Sequence, residues 1–313
     1  MTTKVIIDCA PGIDDAVALA LALFDPRLEV LAITATAGSV DADQATNNIQ
    51  AILSQLDPPR FPRVGRATPS DNAPVIDDRD LQGPDGLGDF SVNAMERQHI
   101  HSSEKVIAEL LRLYPDEITL ICLGPLTNIA RVFLRDATAA NMVDRLVISG
   151  GAICCNGNVT AAAELNMFFD PAAARTVFRS PTTKSLVPLD VTNLVTFGVD
   201  LLEKLPDRND RVGGMLHSLL QHAFRVSHQK LGREVIPLQD PVTMLAALEP
   251  SLFEWREMPG DVEIRGEITR GMTIFDRRDR ADDRSNTEVA MQVDRDEVRS
   301  QIVRGLRYAG QES

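Results

Sequence analysis

The stretch Lys4-Val-Ile-Ile-Asp-Cys-Ala-Pro-Gly-Ile-Asp-Asp-Ala16 decides the fold of this chain. It opens with an apolar run typical of a buried strand, turns at a Pro-Gly pair, and leads into a helix-like run of alanines and leucines over Ala16–Leu23. Three aspartates lie at this junction: Asp8, Asp14 and Asp15. Ligands of open α/β sheets bind at the carboxyl ends of strands, so the junction is the first candidate site.

Strand-like and helix-like runs alternate along the rest of the chain. The predicted strands are Val30–Thr34, Ile118–Leu123, Arg145–Ser149 and Lys184–Leu189, and the predicted helices are Asp43–Leu56, Pro171–Phe178 and a run that starts at Asn128. This order predicts an α/β fold with a Rossmann-like core, a mostly parallel central sheet flanked by helices, formed by residues 1–313 as one domain. A late pair of runs, Val262–Ile274 and Glu288–Val293, predicts a hairpin-like antiparallel addition.

The bulk composition excludes several classes of partner. The chain has 313 residues and a net charge of -13, which argues against nucleic acids and anionic membranes as partners. No apolar run approaches the ~20 residues of a membrane span. The N-terminus runs directly into a predicted strand, so we expect no signal peptide. We therefore expect a cytoplasmic protein. Its four cysteines, Cys9, Cys122, Cys154 and Cys155, are expected to be free, buried thiols.

The acidic cluster alone allows three interpretations. Its carboxylates could bind a divalent cation, act as acids and bases, or cap the helix that follows. Asp14 and Asp15 fall in the first turn of that helix, where acids interact favourably with free N–H groups and the helix dipole. The cluster by itself does not separate these possibilities.

Further stretches, taken in order, extend the pattern over nearly the whole chain. They are Asp8–Asp15, Gly38-Ser39, Leu123–Asn128, Gly157-Asn158, Ala163–Asn166, Asp240-Pro241 and Arg270–Thr273. Together they resemble the motifs of the inosine–uridine nucleoside hydrolase family, whose N-terminal motif is D-x-D-P-G-x-D-D. The resemblance implies hydrolysis of the N-glycosidic bond of a purine or pyrimidine ribonucleoside, by a homodimer or homotetramer.

The resemblance also implies a Ca²⁺ ion, and a calcium-bound water that attacks the anomeric carbon through an oxocarbenium-like transition state. It assigns metal binding to Asp15, Asp240 and the carbonyl of Leu123, and catalysis to Asp14, Asp15 and Asp240. It assigns the ribose hydroxyls to Asp14 (2′), Asn166 and Asp240 (3′), and Asn158 and Glu164 (5′). Structural alternatives remain: a turn-forming role for Asn158, a solvated helix acid at Glu164, and an N-cap at Asp240.

The chain departs from the family at a position that matters. Ala10 stands where the family has an aspartate that both ligates calcium and accepts the proton of the attacking water. Losing a general base costs about 10²- to 10⁴-fold in rate, and losing a carboxylate lowers cation affinity. Asp8 lies ~6.6 Å further back along the strand and is not expected to take over. The alternative function is therefore a non-catalytic nucleoside- or ribose-binding protein of the same fold.

Proton donors to the leaving base are also scarce. Gln239 replaces the histidine of the family's H-D pair, Gln82 stands where some members have histidine, and Ser39 replaces an asparagine. Arg225 and His228 lie on the stretch that resembles the segment covering the base, although an ordinary surface role is the simpler interpretation. The absence of a G-x-G-x-x-G motif after the first strand argues against a dinucleotide-binding dehydrogenase.

Overall fold

The computed structural model describes residues 2–70, 74, 76, 78–91, 100–278 and 285–311. The strands are β1 (Thr3–Cys9), β2 (Leu28–Ala35), β3 (Arg63–Gly65), β4 (Ile118–Cys122), β5 (Val143–Ser149), β6 (Lys184–Val187), β7 (Thr196–Gly198), β8 (Val235–Pro237), β9 (Phe253–Met258), β10 (Gly260–Val262), β11 (Thr273–Phe275) and β12 (Thr287–Val293). The α-helices are α1 (Ile13–Phe24), α2 (Ala42–Leu56), α3 (Arg79–Gln82), α4 (Ser103–Leu113), α5 (Thr127–Arg135), α6 (Leu165–Phe169), α7 (Pro171–Phe178), α8 (Leu189–Thr192), α9 (Arg211–Leu231), α10 (Gln239–Leu248) and α11 (Arg295–Gln311). Short 3₁₀ helices cover Ala137–Asn141, Val199–Lys204 and Pro250–Leu252.

The central sheet has eight strands in the order β3-β2-β1-β4-β5-β6-β12-β9. All neighbouring pairs are parallel except β12 with β9 at the edge. This arrangement confirms the predicted α/β fold with a mostly parallel sheet flanked by helices. Continuous apolar strands form it because both faces of the sheet are covered.

The covering helices divide into two layers, each with its own core. On one face, Val5, Ile7 and Cys9 of β1 pack in a core that includes residues of α1, α2, α9, α10 and α11. On the other face, Ile6 packs in a core that includes residues of α4, α5 and α7. The first strand is therefore buried on both sides, which explains its unbroken apolar run.

The predicted late hairpin is wrong in its pairing. The antiparallel partner of β12 is β9, with Thr287 opposite Met258, and β12 also pairs in parallel with β6. The predicted strand Val262–Ile274 is interrupted by a turn, and only its ends pair, as β10 and β11 in a separate two-stranded sheet. β12 enters the main sheet because Val289 and Ala290, which point to opposite faces, are both fully buried there.

The topology places the ends of three strands side by side. The strands β1, β4 and β5 are adjacent and parallel, so their carboxyl ends at Cys9, Cys122 and Ser149 meet at one edge of the sheet. The polar segments of the family-like motifs follow directly after these ends. Of the helices in the described part of the chain, none is long and apolar enough to cross a membrane.

Candidate functional site

Two neighbouring aspartates in the first turn of α1 have different hydrogen-bond partners. Asp14 Oδ2 accepts hydrogen bonds from the backbone N–H groups of Gln239 at 2.7 Å and Asp240 at 3.0 Å. Asp15 Oδ2 accepts one from the backbone N–H of Gly12 at 2.9 Å. Asp15 therefore caps its own helix, as the structural interpretation predicted, whereas Asp14 binds the start of α10.

The second oxygen of each carboxylate has no hydrogen-bond partner in the described part of the chain. Asp14 Oδ1 and Asp15 Oδ1 are buried, and neither has a hydrogen-bond partner within the described residues. Buried polar atoms without a partner cost free energy, so such atoms usually mark a binding site or an unresolved water or ion. The capping role of Asp15 and a ligand-binding role are thus compatible, because they use different oxygens.

Asp240 lies next to the carboxyl end of β5, where the ends of β1, β4 and β5 meet. Its Oδ1 accepts a hydrogen bond from Ser149 Oγ at 3.1 Å, at the carboxyl end of β5. The predicted alternative role of Asp240 as an N-cap is wrong, because α10 already begins at Gln239 and Leu238 occupies the N-cap position. Asp240 is instead buried in the first turn, with its carboxylate directed to the strand end.

The acids perturb one another. Burial raises the pKa of Asp14 to about 7 and that of Asp15 to about 6. Burial, reinforced by the charges of Asp15 and Asp14, raises the pKa of Asp240 well above its ordinary value. A carboxylate cluster of this kind favours keeping protons unless a positive charge is present.

Asn166 connects the ends of two strands. Its Nδ2 donates to the carbonyl oxygens of Leu123 at 2.9 Å and Ser149 at 3.1 Å. Both amide protons are used in this way, so Oδ1 of Asn166 is the atom left for a ligand, as an acceptor. The carbonyl of Leu123, the predicted neutral metal ligand, already accepts one hydrogen bond and retains its second lone pair.

Glu164 is buried and caps α6. Its Oε1 accepts from the N–H of Asn166 at 2.9 Å, and its Oε2 accepts from the N–H groups of Gly151 at 3.1 Å and Met167 at 3.2 Å. The alternative of a solvated helix acid, considered beside a role in binding the sugar, is wrong, because only 3% of Glu164 is exposed. Burial still raises its pKa, although the N–H groups oppose that shift.

Asn158 differs from Glu164 in its exposure. Its side chain is exposed, and its Oδ1 accepts from the N–H of Leu165 at 2.9 Å. The residue thus closes the loop that precedes α6, which is the turn-forming role considered for it. This contact uses Oδ1 and leaves the amide N–H₂ group available to a hydroxyl.

Ala10 is enclosed by backbone. A side chain on Gly38 would bring a Cβ within 2.7 Å of the Ala10 Cβ, and one on Gly124 would approach it to 3.0 Å. These two glycines therefore allow the loops after β2 and β4 to close around residue 10. Ala10 itself is only 7% exposed, so a larger side chain at this position would need space between these two loops.

Asp8 lies on β1 in the interior of the protein, two residues before Ala10. It is fully buried, and its Oδ1 accepts from Thr34 Oγ1 at 2.5 Å and Asn128 Nδ2 at 2.8 Å. Burial raises its pKa to about 7. These contacts keep the carboxylate among core groups, in agreement with the expectation that it does not replace an aspartate at position 10.

The residues of α9 that resemble the base-covering segment contact the segment around α3. His222 is buried, with Nδ1 3.1 Å from Asp89 Oδ1 and Nε2 3.2 Å from the Leu81 carbonyl, and Arg225 pairs with Asp89 at 2.7 Å. These contacts bind α9 to the segment around α3. His228 is exposed and lies beside Glu234. This position agrees with the ordinary surface role considered for His228.

Gln82 and Gln239, which stand where family members have histidine, also have hydrogen-bond partners. Gln82 Oε1 lies 3.5 Å from the N–H of Ile13, and Gln239 Nε2 lies 3.4 Å from Asn193 Oδ1. Neither side chain can act as a titrating acid.

The cysteines divide into two pairs. Cys9 and Cys122 are buried, whereas Cys154 and Cys155 are exposed on the loop after β5. The expectation of buried thiols is therefore wrong for this second pair.

A metal site can be tested against these groups. Within the described ranges, no group of three or more His, Cys, Asp or Glu side chains is placed to hold a metal ion. The predicted donors Asp15, Asp240 and the Leu123 carbonyl are nevertheless all oxygen ligands, the type that calcium prefers. The unpartnered Oδ1 of Asp15 adds a buried oxygen suited to a cation. The donors fit calcium in kind, with one carboxylate fewer than the resemblance implies.

Several residues of the site were not predicted from the sequence. They are Thr34, Asn48 and Ser149, whose side chains bind Asp8, the Pro11 carbonyl and Asp240 respectively. Asn48 carried a signal, since it falls on the apolar stripe of α2 that contains Ala45, Ile49 and Ile52. A polar side chain on such a stripe needs a buried partner.

Comparison with known proteins gives a consistent result over the length of the chain. Residues 5–300 match the family described as inosine-uridine preferring nucleoside hydrolase. A non-specific ribonucleoside hydrolase RihC of Salmonella enteritidis is 35% identical over 306 residues, which are 97% of this chain and 98% of the relative. Among solved structures, a plant nucleoside hydrolase is 31% identical with a TM-score of 0.91, covering 98% of this chain and 99% of its own. A purine-preferring ribonucleoside hydrolase from Gardnerella vaginalis is 25% identical with a TM-score of 0.92, covering 99% and 100%.

Proposed function

Because this chain belongs to the inosine-uridine preferring nucleoside hydrolase family, we propose that it hydrolyses the N-glycosidic bond of purine or pyrimidine ribonucleosides. The observation that carries the proposal is the pair of buried, unpartnered oxygens Asp14 Oδ1 and Asp15 Oδ1. They lie at the strand edge beside Asp240 and form the acceptor side of a site for hydroxyl groups. A sugar diol supplies donors of the matching kind.

Each ribose hydroxyl then has a partner. Asp14 Oδ1 accepts the 2′-hydroxyl proton, and Asn166 Oδ1 with Asp240 binds the 3′-hydroxyl. Glu164 and Asn158 bind the 5′-hydroxyl at the other end of the sugar. Because Glu164 is already held by three backbone N–H groups, it is fixed in position before a ligand arrives.

Calcium is the proposed cofactor. Asp15, Asp240 and the Leu123 carbonyl would hold it, and when bound it would supply positive charge near the diol and favour ionisation of a water molecule. Its affinity is expected to be lower than in a site with a third carboxylate. The raised pKa values of Asp14 and Asp15 are consistent with a cluster that requires a compensating cation.

The reaction joins a water oxygen to the anomeric carbon and breaks the bond from that carbon to the base nitrogen. The base leaves with the electron pair and takes up a proton, while the water gives up a proton. Ala10 cannot accept that proton, so it must pass to one of the carboxylates of Asp14, Asp15 and Asp240. We expect turnover to be reduced about 10²- to 10⁴-fold for lack of a dedicated base.

A second candidate function follows from the same substitution. With a methyl group at position 10 and glutamine at position 239, the protein could bind a nucleoside or ribose without cleaving it. The contacts proposed for the sugar hydroxyls do not depend on either residue. Binding and hydrolysis must therefore be measured separately.

The test uses the purified full-length chain with inosine, uridine, adenosine and cytidine, in CaCl₂ and in EDTA. Reducing-sugar release measures hydrolysis, and calorimetry measures binding of each nucleoside and of ribose. Asp14→Asn serves as the impaired control. Calcium-dependent sugar release that Asp14→Asn loses supports the hydrolase, and binding without release supports the binding protein. Absence of both contradicts the proposed function.

A further inference from the structure

Asn48 is a buried amide in the middle of α2. Only 2% of it is exposed. Its Nδ2 donates to the carbonyl oxygens of Pro11 at 2.9 Å and Asp85 at 2.7 Å, and its Oδ1 accepts from Gln44 Nε2 at 2.8 Å. Both protons of the amide are thus directed to two segments distant in sequence: the acidic turn of the first motif and the segment after α3.

The first contact reaches Asp15 through a single peptide unit. The Pro11 carbonyl that accepts from Asn48 belongs to the same peptide as the Gly12 N–H, which donates to Asp15 Oδ2 at 2.9 Å. A peptide unit is planar, so fixing its carbonyl also fixes the direction of its N–H. Hydrogen bonds in such a chain polarise one another. Asn48 therefore holds the peptide whose N–H binds one oxygen of the Asp15 carboxylate, while the other oxygen has no partner among the described residues.

The second contact holds the segment Gly83–Gly88 against the same turn. Gly86 has a φ of +82°, and a Cβ there would lie 2.8 Å from Val40 Cγ1 and 3.4 Å from Asn48 Nδ2. The backbone of this segment therefore packs directly on the amide, with no room for a side chain between them. One side chain thus binds two walls of the proposed pocket together.

We propose that Asn48 is a positioning residue for the sugar and cation site, an inference that rests on the proposed function. Its proposed role requires no contact with the substrate or the metal, because both of its Nδ2 protons are bound by the Pro11 and Asp85 carbonyl oxygens. It fixes the carboxylate of Asp15 through the Pro11–Gly12 peptide, and it holds the segment after α3 over that carboxylate. Loss of the Nδ2 donors would release both at once.

The decisive variant is Asn48→Asp, which keeps the shape of the side chain but places an acceptor against two carbonyl oxygens. Two controls lie on the same helix. Gln44→Ala removes the partner of Asn48 Oδ1 and leaves both Nδ2 donors in place. Ile49→Val is a mild core change at the next position, where the side chain is fully buried. It shows what a general loss of stability in α2 does to binding and to hydrogen exchange.

Two readouts are measured on each variant. Calorimetry gives the dissociation constants for ribose and for CaCl₂, together with KM for inosine if the protein turns over. Hydrogen exchange, without ligand, gives the protection of the Gly12 amide and of residues 83–88. We expect Asn48→Asp to weaken ribose and calcium binding tenfold or more, and to speed exchange of the Gly12 amide at least tenfold. The two controls should stay within about threefold of the parent.

Two results would overturn the proposal: unchanged Gly12 exchange in Asn48→Asp, or equal losses in Ile49→Val. If the parent protein binds neither ribose nor nucleoside, the proposed function is wrong. Hydrogen exchange at Gly12 and at residues 83–88 then still decides whether Asn48 holds the two segments. The failure of one proposal is thereby distinguished from the failure of the other.

Discussion

Asp14 Oδ2 lies 3.0 Å from the backbone nitrogen of Asp240, across 226 residues of sequence. The same oxygen also accepts from the N–H of Gln239. An acid in the first turn of α1 therefore satisfies two of the free N–H groups at the start of α10. The two proposed catalytic segments are joined by this contact even without a ligand.

Removal of that carboxylate should weaken both folding and binding. Asp14→Ala leaves two buried N–H groups without acceptors, which we expect to lower the free energy of unfolding by about 1–3 kcal/mol. Ribose binding should fall as well, because Asp14 Oδ1 is lost. Urea unfolding and calorimetry measure the two effects. Asp43→Ala, an exposed acid in the first turn of α2, is the control. It should leave ribose binding unchanged and lower the free energy of unfolding by less than about 1 kcal/mol, through the lost interaction with the helix dipole alone. A fully stable Asp14→Ala protein would contradict the role of this contact.

The missing aspartate can be restored. Ala10→Asp should raise calcium affinity by adding a carboxylate, and should raise kcat/KM for inosine or uridine about 10²- to 10⁴-fold by adding a base. Calorimetry with CaCl₂ and the reducing-sugar assay measure the two changes. Ala10→Asn has nearly the same size without the charge, and should give neither gain. If Ala10→Asp is also silent, the pocket has diverged beyond this one position.

The response to pH should depend on calcium. The pKa values of Asp14 and Asp15 are raised to about 7 and about 6, so the folded protein binds protons that the unfolded chain has already lost. In EDTA, stability should therefore decrease as the pH rises from about 4 to 7. Cations bind the ionised carboxylates, so CaCl₂ should raise Tm more at pH 8 than at pH 5.

Thermal unfolding in EDTA and in CaCl₂ at both pH values checks this expectation. Asp15→Asn should abolish most of the calcium-dependent shift, because it removes a proposed ligand. An equal calcium shift at pH 5 and pH 8 would mean that ionisation of these acids is not linked to cation binding.

Glu164 should tolerate little change. Glu164→Gln replaces one oxygen that accepts backbone N–H groups with a donor, so one of the contacts with Gly151, Asn166 or Met167 becomes repulsive. We expect a loss of about 1–3 kcal/mol in unfolding free energy and weaker nucleoside binding. Urea unfolding and calorimetry test this. Glu267→Gln, at an exposed position, is the matched control. Ribose that lacks its 5′-hydroxyl should bind the parent protein and Glu164→Gln with similar affinity.

The sequence predicted the sheet because its strands carry their own signal. β1, β4 and β5 each contain a short, mainly apolar run, at 5–7, 118–122 and 146–148, and the turns after them contain Gly or Pro. Pairing of the late strands was predicted wrongly, because β12 selects its neighbours through the packing of Val289 and Ala290 on opposite faces. The pairing partners of β12 depend on how the whole sheet packs, so no local pattern in the sequence of β12 indicates them.

The site was predictable where it follows strand ends and not where it depends on helix packing. Asp14, Asp15, Glu164 and Asn166 follow motifs, and the structure places all of them at the strand edge or next to it. Ser149 and Asn48 are ordinary polar residues in sequence, and their partners lie 91 and 37 residues away. Only the folded chain brings these partners together. The single domain, the oligomeric state and the roles of the site residues stay predictions.

Asp8 offers a test of the buried network beneath the site. Its Oδ1 is bound by Thr34 and Asn128, but its Oδ2 has no partner among the described residues, and burial raises its pKa to about 7. Between pH 4 and 7 the unfolded chain loses this proton while the folded protein keeps it. Asp8 therefore makes stability fall as the pH rises through that range.

Asp8→Asn keeps an oxygen for Thr34 and Asn128 but removes the titration. The unfolding free energy of the variant minus that of the parent should therefore increase with pH. We expect this difference to rise by at least about 1 kcal/mol between pH 5 and pH 8. Urea unfolding in EDTA at both pH values measures this shift. Asp144→Asn, an exposed aspartate of β5, should show none. A difference that does not change with pH would mean that Asp8 is ionised in the folded protein throughout, and that Thr34 and Asn128 alone stabilise its charge.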